Sequence, residues 1–416
     1  MMEIYIGLDW SKSLVCAFVA MGGKTRRLRL PRTVEGIERL LQVAGADPTQ
    51  PLRAVIEQGD RQFAELLHAR GVLVHVVDPK KAKRFAESLC SSRAKDDWRD
   101  ARMLCELAAS ERHRGPQYEP TSPHMETLEL LSRAYEGTVV KRTRVINQLR
   151  AHLRQTSPAL EASLKDFTSK YAMALISLAP SWQHGARVSE GRWEEFCNKH
   201  RLRGAKREGL RLAMAKAWRP AARSVLAPVA LVIRALVEEL RLLHRKALQL
   251  QRALEQHMAN DPTAMVLRSV DGLGLHISTA LVEAGIGKLD GPRDAVAVAT
   301  SAAPVTIQSG NSRWVVRRTS TSKTAAKAAF ALGAQAIRRL VWAKAMYRAA
   351  RERGQTHGTA VRRVARSLLR VLRALIRNGQ RYDEALYIRR LQARGVPWAL
   401  TIQLPPAGAP LAQQAP

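Results

Sequence analysis

Four carboxylates in this chain are spaced as if to share a metal. Asp9 closes the run Glu3-Ile4-Tyr5-Ile6-Gly7-Leu8-Asp9, which reads as a strand, and Glu57 closes a second strand expected over 52–57. In α/β sheets, ligands gather outside the carboxyl ends of strands. Asp97 and Asp100 are three apart on a helix expected over 96–111, so both point from one face. Four gathered negative charges repel unless divalent cations neutralise them, and oxygen-only ligands favour Mg2+ or Mn2+. Two such ions a few ångströms apart clamp the attacking and leaving oxygens of a phosphodiester. A structural reading competes: Asp97 and Asp100 are also what the macrodipole favours at a helix N-terminus. Glu57 would then be a surface residue beside Asp60, and Asp96 is the rival of Asp97 as a ligand.

The elements around these residues alternate. Strands are expected at 3–9, 14–20, 26–30, 52–57 and 72–77, with helices at 33–44, 60–70 and 96–111, the pattern of an α/β domain. From about residue 121 the strands stop. A long helix fits 122–156, and 160–220 is mixed, broken by Gly185, Gly191 and Gly204. After Pro228, the apolar residues Val229, Ile233, Leu236, Leu240, Leu243, Ala247, Leu250 and Leu254 repeat in steps of four and three, a coiled-coil seam. That stripe fits a dimer seam and a long amphipathic helix packed on its own domain equally well. Two helical patterns flank Asp271-Gly272-Leu273-Gly274; a Gly-x-Gly there serves a tight turn, or a phosphate at a helix N-terminus. These divisions suggest an α/β catalytic domain over 1–120, a helical linker and coiled-coil region over 121–260, and a helical domain over 261–345. A basic helical extension over 346–396 and a disordered, Pro-rich tail over 397–416 would follow.

The formal charge of +32, with a pI near 11.0, calls for a polyanionic partner, nucleic acid before a membrane surface. The excess is uneven: residues 1–120 carry +4, residues 121–260 carry +12, and residues 261–416 carry +16. Within 301–377 there are 17 basic residues and one acid, Glu352. On the helix expected over 361–377, Arg363, Arg366, Arg370, Arg373 and Arg377 form one stripe, opposite Val361, Val364, Ala365, Leu368, Leu372 and Leu375. Phosphate contact is the expectation for that stripe, with a merely solvated face as its rival. No stretch approaches 18 uninterrupted apolar residues, which excludes a membrane span. The cysteines Cys16, Cys90, Cys105 and Cys197 are scattered, without metal-ligand spacing, and the start of the chain lacks signal-peptide character. A cytoplasmic protein with reduced thiols is expected.

Three blocks carry a family resemblance. Gly7-Leu8-Asp9-Trp10-Ser11-Lys12, Val55-Ile56-Glu57 and Lys95-Asp96-Asp97-Trp98-Arg99-Asp100-Ala101 together resemble the DEDD transposases of insertion-sequence family 110 over about 1–160. The last block resembles that family's Lys-x-Asp-x-x-Asp-Ala motif, which selects Asp97 over Asp96. A second match, over about 262–345, rests on Ser269-Val270-Asp271-Gly272-Leu273-Gly274 and on Ala303-Pro304-Val305-Thr306-Ile307-Gln308-Ser309-Gly310. Gln58-Gly59-Asp60, Ser301-Ala302-Ala303 and Lys323-Thr324-Ala325 depart from the family's usual residues.

The resemblance implies an RNase H-like (RuvC-like) α/β N-terminal domain whose Asp9, Glu57, Asp97 and Asp100 hold Mg2+, with Mn2+ as an alternative. It is followed by mainly helical regions, a coiled coil and a helical transposase domain. It implies Ser309 as the nucleophile that captures a DNA phosphate; Ser301, Ser312 and Ser320 are the alternatives nearby. The expected enzyme is a DNA recombinase acting by phosphodiester transesterification through a phosphoserine. Its partners would be donor and target DNA and a structured bridge RNA, within a homo-oligomer (dimer, or tetramer in the active complex) whose protomers contribute to one another's sites. Arg313, Arg317, Arg318 and Lys323, with the arginine stripe, would contact nucleic acid. A hydrolytic RuvC-like nuclease and a non-catalytic nucleic-acid-binding scaffold are the alternatives.

Overall fold

A computed structural model describes residues 3–45, 51–57, 61–89, 96–111, 115, 117–218, 223–287, 292, 294–316, 318 and 323–404. The chain divides into two compact units, residues 1–122 and 123–416.

The first unit is built on a five-stranded sheet. Its strands are β1 (Ile4–Trp10), β2 (Leu14–Met21), β3 (Lys24–Pro31), β4 (Leu52–Glu57) and β5 (Leu73–Val77), in the order β3-β2-β1-β4-β5. The first three strands form an antiparallel meander, whereas β4 and β5 run parallel to β1. Side chains alternate between faces along a strand. Ile4, Ile6 and Leu8 of β1 and Leu52, Ala54 and Ile56 of β4 therefore share one face, buried against α1 (Val34–Val43) and α2 (Arg61–His68). Thr33 caps α1 by accepting a hydrogen bond from the Gly36 amide, which fixes where the chain turns out of β3. The opposite face receives α3 (Pro79–Leu89) and α4 (Asp97–Ala109) over Tyr5, Gly7 and Val55.

Among the described residues the second unit is helical apart from one hairpin. A long helix, α5 (Pro123–Thr156), is followed by the short helices α6 (Pro158–Ser163), α7 (Lys170–Leu178), α8 (Trp182–Ala186), α9 (Glu190–His200) and α10 (Gly204–Ala215). Gly185 and Gly191 lie inside α8 and α9 rather than breaking the chain there; Gly185 packs against the Met214 backbone, where a β-carbon would not fit. The second long helix, α11 (Arg223–His257), runs antiparallel to α5: Leu128 shares a cluster with Leu254 and Met258, and Leu149 and Leu153 share one with Ile233 and Leu240. Ile233, Leu240, Leu243, Ala247 and Leu254 of the heptad stripe are buried inside this unit. Of the two readings of the stripe, packing within the chain accounts for these residues.

Next come α12 (Pro262–Arg268), α13 (Leu275–Glu283), α14 (Ala295–Ala299), the hairpin β6 (Val305–Ser309) and β7 (Ser312–Val316), then α15 (Lys323–Arg339), α16 (Val341–Glu352), α17 (His357–Arg377), α18 (Glu384–Ala393) and α19 (Pro397–Leu400). Leu267, Leu332, Trp342, Leu368 and Ile388 meet in one core, so the stretches 261–345 and 346–396 share a single interior. Gly333 is what lets α15 lie against α17: a β-carbon there would stand 2.4 Å from the Val361 carbonyl oxygen. Residues 397–404, expected to belong to a disordered tail, are instead ordered, with a helix at Pro397–Leu400. Ala399 and Ile402 are buried and Trp398 lies against Trp342, an apolar payload that outweighs the Pro content at the start of this stretch. Residues 405–416 are outside the described residues. No described helix is long and apolar enough to cross a membrane.

Candidate active site

The alternation that buries Ile4, Ile6 and Leu8 on one face of β1 sends Tyr5, Gly7 and Asp9 to the other. The same count in β4 sends Arg53, Val55 and Glu57 to that second face. β1 and β4 pair in parallel from Ile4↔Leu52 to Leu8↔Ile56, so Asp9 and Glu57 follow the last pair side by side at the carboxyl edge.

Helix α4 arrives at the same place. It lies directly on Gly7, where a β-carbon would come within 2.0 Å of the Ala101 carbonyl oxygen and 2.2 Å of the Cys105 nitrogen. Cys105 Sγ donates to the Tyr5 carbonyl oxygen at 3.2 Å. Moving from Ala101 to Cys105 therefore runs back toward the start of β1, so the first turn of α4 lies at the Asp9 end. Ala101 and Leu104 are fully buried against the sheet; Asp97 sits one turn before Ala101 and Asp100 one turn before Leu104. Trp98 between them packs near Cys16 and Phe18 of β2, with the Arg29 guanidinium 5.7 Å from its ring centre. Asp96 holds the N-cap position without a side-chain cap hydrogen bond.

All four carboxylates thus reach one face and one edge of the sheet. They fit a hard divalent cation by donor chemistry, and Asp9, Glu57 and Asp100 are partly buried while Asp97 is exposed. Their side chains are not drawn together: among the described residues no three His, Cys, Asp or Glu groups stand close enough to hold a metal ion. Cys105, beneath this corner, is buried, and desolvation pushes its thiol up to about 12. It is no thiolate ligand near neutral pH.

In the second unit Ser309 is the last residue of β6, paired with Ser312 across a two-residue turn. Gly310 holds φ at +55° in that turn, a conformation glycine adopts without strain. Ser309 is exposed and ends a strand; it caps no helix. By the strand alternation it shares a face of the hairpin with Ile307 and Trp314, which pair across the strands and are 49% and 52% exposed. Of the alternative serines, Ser312 opens β7 and is exposed, Ser301 is 4% exposed, and Ser320 lies outside the described residues.

The expected nucleic-acid contacts separate. Arg313 belongs to β7, Arg318 is half-buried, Lys323 begins α15 in an exposed position, and Arg317 lies outside the described residues. On α17, Arg363 and Arg377 are exposed. Arg366 and Arg370 are held by Asp294: Arg366 Nη2 donates to Oδ2 at 2.5 Å, and Arg370 donates through Nε at 2.6 Å and Nη2 at 2.7 Å. Hydrogen bonds from Arg370 and then Arg366 hold the Asp294 carboxyl well below the usual carboxylate range. Arg373 is 6% exposed and donates to the Pro292 carbonyl oxygen. It therefore departs from the expected stripe of surface contacts, because a backbone carbonyl of its own domain occupies it. Asp294, more than 70 residues away in sequence, and the close approach at Gly7 are the features that sequence reading passed over; the Gly7-Leu8-Asp9 spacing held a signal for the second.

Comparisons with known proteins bear on both units. Residues 6–158 match the sequence model of the IS110-type DEDD family, described as "Transposase". The chain is 27% identical over 410 residues to the "Mini-circle putative transposase for IS117" of Streptomyces coelicolor (strain ATCC BAA-471 / A3(2) / M145), covering 92% of this chain and 96% of that protein. It is 26% identical over 205 residues to the "Putative transposase y4uE" of Sinorhizobium fredii (strain NBRC 101917 / NGR234), covering 48% of this chain and 57% of that protein.

Proposed function

We propose, on the premise that residues 6–158 are a DEDD transposase region of IS110 type, that the whole chain is a DNA transposase of an insertion sequence. It cuts and rejoins DNA strands by transesterification. The observation that carries this reading is the convergence of Asp9, Glu57 and the first turn of α4 on one face and edge of the sheet. The strand order, an antiparallel meander continued by two parallel strands, supports an RNase H-like fold for this unit. The near-complete coverage of a relative named as a transposase extends the reading to the second unit.

Asp9, Glu57, Asp97 and Asp100 are the proposed ligands of Mg2+, or of Mn2+. When bound, the metal supplies positive charge to the phosphoryl oxygens and to the oxygen that leaves. Ser309 is the proposed nucleophile. Its Oγ forms a bond to phosphorus as one bridging P–O bond of the DNA breaks, and the departing strand keeps the oxygen and takes up a proton. A hydroxyl from a second strand then attacks the phosphoserine, restoring the serine and a phosphodiester. One ester replaces another at each step, so no nucleotide triphosphate is consumed. No acidic residue lies between 301 and 351, so no sequence neighbour of Ser309 serves as its base and its proton passes to solvent. Arg318 and Lys323 follow the hairpin and offer charge to a five-coordinate phosphorus.

Donor and target DNA are the proposed substrates, and a structured bridge RNA is the proposed guide. Charge supports a second polyanion: residues 121–416 carry +28. The active assembly in this reading is a homo-oligomer in the cytoplasm, with a dimer as the minimum. The heptad stripe no longer speaks for it. Incubating the protein with DNA of its element, Mg2+ and copurified RNA, then resolving it on a denaturing gel, tests the reading. Protein-linked DNA is expected; cleavage with no linked protein would favour hydrolysis by the carboxylate site instead.

A further inference from the structure

The second unit contains a cavity of about 470 Å3 between α17, the 301–304 segment and the hairpin. Its volume lies in the range of small-ligand sites, roughly 300–1,000 Å3. Arg362, Arg363, Arg366 and Arg370 of α17 line it, and no carboxylate does. Arg362, Arg366 and Arg370 stand four apart on one helix face, and Arg363 adjoins the first of them. Hydroxyls stand among them: Ser301, Thr359 and Ser367 also line the space. We propose that this cavity is a binding site for a backbone phosphate of the DNA strand on which the hairpin acts. Naming that strand rests on the transposase reading above; the preference for a phosphodiester rests on the cavity itself.

Asp294 shows what the guanidiniums are disposed to hold. Its carboxylate takes the Nε and Nη2 fork of Arg370 and one Nη2 donor of Arg366. Two guanidiniums thus already converge on one oxyanion, in the bidentate geometry that also suits phosphate. Asp294 accepts three hydrogen bonds from two guanidiniums that each carry five donors. Asp294 fixes Arg366 and Arg370, and the cavity side keeps a surplus of positive charge. The side chains of Arg366 and Arg370 are 34% and 35% exposed, where water screens a phosphate contact less than on an open surface. Ser301 adds a second sign of a built site. It is one of two non-glycine residues with positive φ among the described residues, at +55°, and is 4% exposed in the cavity wall. Such a conformation persists only where its surroundings impose it.

The cavity also continues into the hairpin. Val315 and Val316 form part of its wall, and β7 leads from Val316 to Ser312, the cross-strand partner of Ser309. Four residues of strand span about 13 Å, or about four nucleotide steps at the 3.4 Å rise of one strand of B-form DNA. The gripped phosphate therefore lies a few nucleotides from the one presented to Ser309, and fixes the register of the strand on the hairpin.

Fluorescence anisotropy of the full-length protein on a short fluorescein-labelled DNA duplex, titrated over a range of salt, tests the proposal. Arg363→Gln, at an exposed position, and Arg370→Gln should each weaken binding by roughly tenfold and flatten the slope of log K against log salt by about 0.9. Arg389→Gln, at an exposed position on α18 outside the cavity lining, should change affinity by less than about twofold. Arg363→Gln guards against misfolding from loss of the Asp294 contact in Arg370→Gln. Unchanged affinity and slope in Arg363→Gln would overturn the site. So would a loss confined to a labelled RNA of the same length. Ser309→Ala separates this inference from the transposase reading: it should bind DNA as wild type does. If the wild-type protein forms no DNA adduct while the arginine variants still lose affinity, the serine chemistry falls and the cavity stands.

Discussion

Asp9 and Glu57 occupy the α4 face of the sheet because each lies an odd number of residues from the buried members of its strand. That parity could be counted in the sequence. What could not be counted is which helix covers that face. Asp9→Asn should abolish Mg2+-dependent strand cleavage and leave DNA affinity within about twofold, since the basic residues and not one partly buried carboxylate carry binding; a cleavage assay beside a binding titration checks both. Asp294 belongs to the same scale. Its hydrogen bonds with Arg370 and Arg366 depress its folded-state pKa, so their contribution to stability is fully present above the ordinary Asp value of about 3.9 and fades as the pH falls through the folded value. Asp294→Ala should cost about 1.5–3 kcal/mol at neutral pH, and the gap to wild type should close in acid. Thermal melts across that range measure it.

The corner at Gly7 is a property of elements. Helix α4 can bring Asp97 and Asp100 to the edge of the sheet because nothing projects from residue 7 into the Ala101–Cys105 turn. Gly7→Ala should therefore lift α4 and cost at least about 1–3 kcal/mol. Metal-dependent cleavage should fall further than stability alone explains, seen by comparing activity with the folded fraction from circular dichroism. The first unit was nearly legible from its sequence: all five strands and the helix bearing Asp97 and Asp100 follow from alternation and from acids at a helix start. The second unit was legible as helices but not as partners. A heptad stripe has the same spacing whether it faces α5 or another chain. The arginine stripe of α17 likewise hides that Asp294 and Pro292 return to it from across a long loop. Residues 397–404 pack because Trp398 and Ile402 supply apolar area that the prolines and alanines around them mask in the sequence.

At the scale of the whole molecule, charge divides the labour. The first 120 residues carry only +4, since 16 acids offset 20 basic residues, whereas the rest carries +28. Affinity for nucleic acid should therefore fall steeply with salt and reside in residues 123–416. Purified protein should carry RNA at low salt, and stripping it with high salt should stop strand exchange without unfolding the chain. Exchange at full rate after complete RNA removal would remove the guide from the account. In the proposed reaction Ser309 becomes covalently bonded to DNA, and that bond can be seen directly. On a denaturing gel, labelled DNA of the element should migrate with wild-type protein when Mg2+ is present, and with neither Ser309→Ala nor Asp9→Asn. A Ser309→Ala protein that still carries labelled DNA, or a wild-type protein that cuts DNA and never carries it, would contradict the account.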